Sequence, residues 1–255
     1  MILELKNIFF KYQGLGQKNS IDTISNISLT VIQGELIGIV GASGSGKTTL
    51  IQVMKGLLKP ANGQVLLEGQ TLSSKVKATQ NLPQKIGLVN QFPEMQFFEN
   101  TIFDEIAFGL RNCSMAEDEI HAKIENVLNL LELNSVDEKK QSPFKLSEGQ
   151  KRRVAIASIL VMEPEIIILD EPTSALDYSG IQIICKLVNK FHDQNRTVII
   201  ASHDMDFIYK LVHRVIALDK GKIVFDGTKE NFFSNTNLLL KSKLELPRIL
   251  QLKNK

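Results

Sequence analysis

Apolar and polar residues alternate from the first residues of the chain, in Ile2-Leu3-Glu4-Leu5-Lys6, and Leu3, Leu5 and Ile8 begin a half-buried strand. Residues 14–23, rich in Gly, Gln, Asn and Ser, read as a loop. Alternation returns over Ile27 to Val31, Gly34-Glu35 marks a turn, and Leu36 to Val40 is a short, wholly apolar strand. A glycine-rich loop follows, then a helix from about Lys47 to Leu57, with Pro60 and Gly63 closing the unit. From Thr101 to about Leu133 the period becomes helical. Ile102, Ile106 and Leu110 share one face, and Ile124, Val127, Leu128 and Leu131 share another. Ser114, with Glu117 three residues on, is the expected cap of the second helix. Ser142-Pro143 interrupts, and a further helix spans about Gly149 to Met162. The last third alternates strands (Ile166 to Leu169, Thr197 to Ala201, Val215 to Leu218) with helices over about 181–193 and 204–212. That alternation predicts a largely parallel sheet with helical crossovers. Gly221-Lys222 reads as a hairpin-like turn.

Composition narrows the class little. The chain has 255 residues and 30 basic against 28 acidic side chains, so a near-neutral balance argues against a protein that works mainly by wrapping nucleic acid. Cys113 and Cys185 stand far apart, which argues against a disulfide scaffold or structural zinc and for a reducing cytoplasm. No secretory leader is evident, and no apolar run approaches the roughly 20 residues that span a bilayer. The length suits one domain carrying a subdomain. Residues 236–255 form a basic extension, with five basic residues against one acidic.

Two motifs carry chemistry. Gly41-Ala42-Ser43-Gly44-Ser45-Gly46-Lys47-Thr48 fits G-x-x-x-x-G-K-[ST] between an apolar strand and a helix, the context a phosphate-binding loop requires. Glycines let main-chain N–H groups converge on phosphate oxygens, and the following helix turns its positive end toward the same anion. Lys47 is expected on the β- and γ-phosphates and Thr48 on Mg²⁺, with Thr49 next in line on the nucleotide. Ile166 to Leu169 ends in Asp170-Glu171. Asp170 is expected in the Mg²⁺ shell and Glu171 as the group that accepts a proton from, or orients, the attacking water. Together these motifs give a nucleoside triphosphatase without saying which kind, since kinases, helicases, GTPases and transporter ATPases share them.

Leu146-Ser147-Glu148-Gly149-Gln150 narrows the kind. With the motifs around it, this segment resembles the ATP-binding cassette family, whose signature is L-S-G-G-Q. The resemblance runs from about residue 2 to 230. It implies an α/β fold with a parallel-sheet phosphate-loop core, an antiparallel β subdomain and a helical subdomain at about 92–162, all within residues 1–235. It further implies an adenine-stacking ring at Tyr12, a loop glutamine at Gln91 that senses Mg²⁺, a D-loop at Ser174-Ala175-Leu176-Asp177 and a switch histidine at His203. In this family two cassettes clasp ATP head to tail. Ser147, Gly149 and Gln150 are then expected on the partner's nucleotide, Asp177 across the dimer interface, and His203 on the γ-phosphate while it holds Glu171 and the water. Plainer readings stand beside these: Tyr12 as a surface aromatic of an edge strand, Gln91 as a loop polar residue, His203 as a helix-start cap. Glu148 departs from the signature's first glycine; its side chain is expected to point away from the nucleotide and to offset Lys151-Arg152-Arg153.

Gln91-Phe92-Pro93-Glu94-Met95-Gln96-Phe97-Phe98-Glu99 resembles the Q-F-P-E segment of energy-coupling factor importer ATPases, as does Leu246-Pro247-Arg248-Ile249 near the end. That resemblance implies an ATPase energising import of a vitamin or transition-metal ion from the cytoplasmic face of the membrane. Its partners would be a second ATPase, a transmembrane scaffold and a substrate-capture membrane protein. Phe92, Met95, Phe97 and Phe98 would line a groove for the scaffold's helices, or else pack between lobes. Another ABC transporter ATPase is the first alternative and a soluble non-transport cassette the second.

Overall fold

The computed structural model describes residues 1–12, 23–72, 82–92, 97–133, 140–174 and 176–253. The loop expected over 14–23 lies, except for Thr23, outside them, as do Pro93 to Gln96 and Ala175.

The strands are β1 (Leu3–Phe10), β2 (Ile24–Val31), β3 (Leu36–Val40), β4 (Asn62–Leu67), β5 (Gln70–Thr71), β6 (Ile86–Val89), β7 (Ile166–Asp170), β8 (Thr197–Ala201), β9 (Arg214–Asp219) and β10 (Lys222–Thr228). The α-helices are α1 (Lys47–Lys55), α2 (Ile102–Asn112), α3 (Glu117–Leu130), α4 (Glu148–Leu160), α5 (Tyr178–Asp193), α6 (Met205–Leu211), α7 (Lys229–Ser234), α8 (Thr236–Lys241) and α9 (Arg248–Lys253). A six-stranded sheet runs β10-β9-β3-β8-β7-β6, parallel except for β10 against β9. A four-stranded antiparallel sheet runs β2-β1-β4-β5.

The apolar strands β3, β7 and β8 are buried along their whole length because both faces of the parallel sheet are covered. Ile166 and Ile168 face a core shared with α1 and the antiparallel sheet, while Ile167 and Leu169 face the helical side. This period-2 division assigns neighbouring residues of one strand to two different cores.

Several boundaries differ from expectation. Helix α1 stops at Lys55, not Leu57, because Gly56 turns to φ 81° and its N–H closes back on Gln52 and Val53. Ser114 does not cap α3. It sits at φ 57°, and the cap position falls to Ala116, which has no side-chain acceptor. Glu117 binds Arg111 at 2.9 Å instead of closing a capping box. Strands β4 and β6 have no counterpart among the sequence-based assignments. Past residue 235 the chain still packs: Leu239 is buried, Leu244, Leu246 and Leu250 lie against the helical-side core, and the Arg248 N–H donates to Asp206 Oδ1 at 2.7 Å.

Candidate nucleotide site

The candidate site lies along the C-terminal ends of three adjacent parallel strands. The phosphate loop leaves β3, Glu171 follows β7, and Ser202 and His203 follow β8. Helix α1 begins at Lys47, and Gly46 caps it at φ 104°, a conformation that strains any other residue type. A Cβ at Gly41 would stand 2.4 Å from the Leu218 carbonyl oxygen and 2.6 Å from Ser45 Oγ, so only glycine lets the loop close over β9. Ser43 and Gly44 form its exposed rim.

The loop's polar groups suit an anion. Ser45 Oγ is buried without a hydrogen-bond partner, so a polar atom waits in the floor of the cradle. Lys47 Nζ folds over the loop onto the Gly41 and Ala42 carbonyls, at 2.8 and 3.3 Å. Burial lowers the Lys47 pKa, while Glu171 and Asp170 oppose that shift. A phosphate in the cradle would favour the charged amine. Tyr12 is half exposed, meets Phe10 edge-on at 4.9 Å, and its hydroxyl lies 3.4 Å from Thr49 Oγ1. The ring thus stands at the rim of the helix that follows the loop.

The Thr48 hydroxyl donates to Asp170 Oδ2 at 3.1 Å. Burial pushes Asp170 above the usual carboxylate range, with the Thr48 hydrogen bond pulling the other way. A divalent cation would reverse the shift by favouring the ionised form. No group of three or more His, Cys, Asp or Glu that could hold a metal occurs among the described residues. The hydroxyl and carboxylate oxygens of the pair are hard donors of the kind that Mg²⁺ takes.

Glu171 is 7% exposed and sits at φ 49°, a costly conformation for a non-glycine residue. Its Oε1 is 2.8 Å from His203 Nδ1. Its Oε2 accepts from the Ser202 hydroxyl at 3.0 Å and the His203 N–H at 3.3 Å. The His203 side chain is 73% exposed, so one face holds Glu171 and the rest is open. The helix after it is capped by Asp204, whose side chain accepts from the Phe207 N–H at 3.0 Å. His203 is therefore not the cap.

The Ser147-to-Gln150 segment opens α4 with a capping box. The Gln150 N–H donates to Ser147 Oγ at 3.3 Å, and Gln150 Oε1 accepts from the Ser147 N–H at 3.1 Å. Ser147 and Glu148 are exposed at the start of α4 and Gly149 and Gln150 are partly so, so the signature faces outward. Asp177 caps α5, accepting from the Gly180 N–H at 2.8 Å and the Ser179 hydroxyl at 2.9 Å; these bonds hold its pKa below the usual range.

The basic run after the signature is not one exposed patch. Lys151 pairs with Glu148 at 2.8 Å, and Glu148 stays more than half exposed. Arg153 reaches the Leu131 and Glu132 carbonyls. Arg152 turns inward and is 4% exposed. Its guanidinium donates to the carbonyls of Gln91 (3.2 Å), Ser174 (3.3 Å), Asp170 (3.1 Å) and Glu171. Sequence reasoning missed Arg152 and Ser202. It also missed Glu105, a buried carboxylate whose Oε2 takes the Phe98 and Glu99 N–H groups at 3.1 and 3.0 Å. The expected aromatic groove divides: Phe97 is buried, while Phe92 and Phe98 are exposed.

Residues 24–174 match the family model described as ABC transporter. The chain belongs to the ABC transporter family. A relative from Acetivibrio thermocellus, called energy-coupling factor transporter ATP-binding protein EcfA2, is 43% identical over 91% of this chain and 82% of its own. The solved structure of cbiO1 from Clostridium perfringens, described as part of the ABC transporter complex cbiONQ, matches with TM-score 0.80 and 33% identity over 100% of this chain and 99% of that one. A dimeric cassette, MJ0796, in a post-hydrolysis state bound to ADP and Pi, matches with TM-score 0.80 and 28% identity over 89% and 98%. As a member of this family the cassette binds and hydrolyses ATP.

Proposed function

We infer that this cassette is the ATP-hydrolysing subunit of an energy-coupling factor importer that takes up a micronutrient, a vitamin or a transition-metal ion. It would work at the cytoplasmic face of the membrane with a second ATPase, a transmembrane scaffold and a separate substrate-capture protein. The relatives' names support the importer type. Among the described residues no helix is long and apolar enough to cross a membrane; in this reading the scaffold would supply the path. Exposed Phe98, stacked edge-on against half-exposed Phe108 at 4.6 Å, offers that partner an apolar seat beside the Gln91 loop.

The contact between Glu171 and His203 beside the phosphate loop carries the reading. Gly41, Ser43, Gly44, Ser45 and Gly46 would cradle the phosphates, with Lys47 holding charge on them and Thr49 and Tyr12 flanking the base side. Thr48, Asp170 and Gln91 would hold Mg²⁺. Held there, such an ion would supply positive charge that offsets the charge of the phosphates. Glu171 would accept the proton of the attacking water at Oε1 or orient the water for in-line attack. His203 would keep that carboxylate in place and offer its open face to the γ-phosphate. Ser147 and Gly149, with Gln150 bracing their helix, would close on the partner's ATP, and Asp177 would border that interface. Catalysis here is positioning and electrostatics.

The test is Glu171→Gln in the assembled complex. Hydrolysis should fall at least about 100-fold while ATP affinity stays within about threefold. Residual turnover near the wild-type rate would remove Glu171 from this role.

A further inference from the structure

Arg152 lies five positions beyond Ser147 on α4, about 7–8 Å along the axis. Ser147 caps the outward end of that helix, and Arg152 drives into the protein's interior. There its guanidinium gathers carbonyls from three separate segments: Gln91 after β6, Asp170 and Glu171 at the end of β7, and Ser174 beyond them. A guanidinium offers five N–H donors in a rigid planar fork, so several acceptors are held at fixed angles to one another. Carbonyl oxygens 170 and 171 point to the same nitrogen. That convergence accompanies the left-handed backbone at Glu171, whose φ is 49°. Main-chain acceptors also mean that the fork grips the path of each loop, whatever its side chains are doing.

We propose that Arg152 is a positioning residue that ties the signature helix to the hydrolytic loop of its own chain, so that closure of the Ser147 end on one ATP sets the geometry of Glu171 on the other. The inference rests on the ATPase reading above, in which Ser147 faces the partner's nucleotide. A rigid helix with one end on each site is a physical link between them. A displacement of α4 reaches the Gln91, Glu171 and Ser174 backbones through one side chain.

The test uses the complete complex with its partner ATPase and membrane scaffold. Arg152→Gln should lower kcat about tenfold or more, while KM and the affinity for a non-hydrolysed ATP analogue stay within about twofold. Arg152→Lys should recover only part of the loss, because one ammonium cannot reproduce the fork. The decisive readout is a double-mutant cycle. Ser147→Ala should lower kcat severalfold in the wild type and by less than twofold in Arg152→Gln. Should Arg152→Gln fail to assemble, the same cycle is run with Arg152→Lys. Losses that simply multiply, or an Arg152→Gln complex with kcat within twofold of wild type, overturn the proposal. A wild-type complex with no ATPase activity would overturn the functional reading itself, a distinct outcome.

Discussion

Glu171 shows how a single carboxylate is made specific. Oε1 meets the His203 ring, while Oε2 accepts from the Ser202 hydroxyl and the His203 N–H, so both oxygens are held in place. Ser202 is wholly buried and also accepts from the Asp204 N–H at 3.0 Å. Its hydroxyl therefore joins the carboxylate to the start of α6. Ser202→Ala should lower kcat about tenfold to 150-fold with KM unchanged, the range expected for one lost hydrogen bond to a charged group. Steady-state kinetics on the assembled complex decides this, and an unchanged kcat would show that the His203 contacts suffice. Glu171 was legible in the sequence because an apolar strand ending in two acids is a local pattern. Ser202 and Arg152 were not. Both act on groups distant in sequence, and Arg152 stands in a Lys-Arg-Arg run that reads as solvated until burial is seen.

At the scale of elements, α4 shows what local chemistry decides. Ser147 and Gln150 close a capping box, so the helix start is fixed by the motif that also faces outward. Glu148 occupies the first turn, where a carboxylate suits the helix's positive end, and its oxygen is drawn back to Lys151. Glu148→Gly should therefore change ATPase turnover by less than about threefold, since an exposed pair contributes little. A rise of tenfold or more would show that the wild-type carboxylate obstructs the site. The strands β3, β7 and β8 were legible because apolar runs of four or five have few other homes. Ser114 misled, since a capping sequence was present but α3 starts two residues later; Ala116 at its cap offers no signal. The four residues of β6, flanked by Lys85 and Asn90, are too short to show a period.

Across the whole molecule the six-stranded sheet separates two cores, and one charged group is partly entombed at the border between them. Lys55, the last residue of α1, donates to the Ile86 carbonyl of β6, and burial lowers its pKa to about 8. The folded protein sheds this proton near pH 8, while the unfolded chain keeps it to the ordinary lysine range. The burial penalty is thus fully present below about pH 8 and fades as pH rises toward about 10. Between about pH 7.5 and 9.5 the wild type should gain about 2 kcal/mol relative to Lys55→Met, read from urea unfolding at the two pH values. A constant difference would mean that the amine is hydrated. The division into a parallel sheet, an antiparallel sheet and a helical portion was legible as a whole from motif order. Which loops touch was not, because that depends on how the strands line up side by side.

That alignment has a consequence of its own. Asp170 pairs with Ala201 across β7 and β8, and the Glu171 N–H donates to the Ala201 carbonyl at 2.8 Å. The spacing between the Glu171 carboxylate and the His203 imidazole is therefore ruled by the pitch of two neighbouring strands, like marks on a vernier. Both strands are packed on either face, and sliding one notch would exchange the residues that each presents to the two cores. The separation of carboxylate and imidazole is thus a property of the sheet rather than of the loops around it.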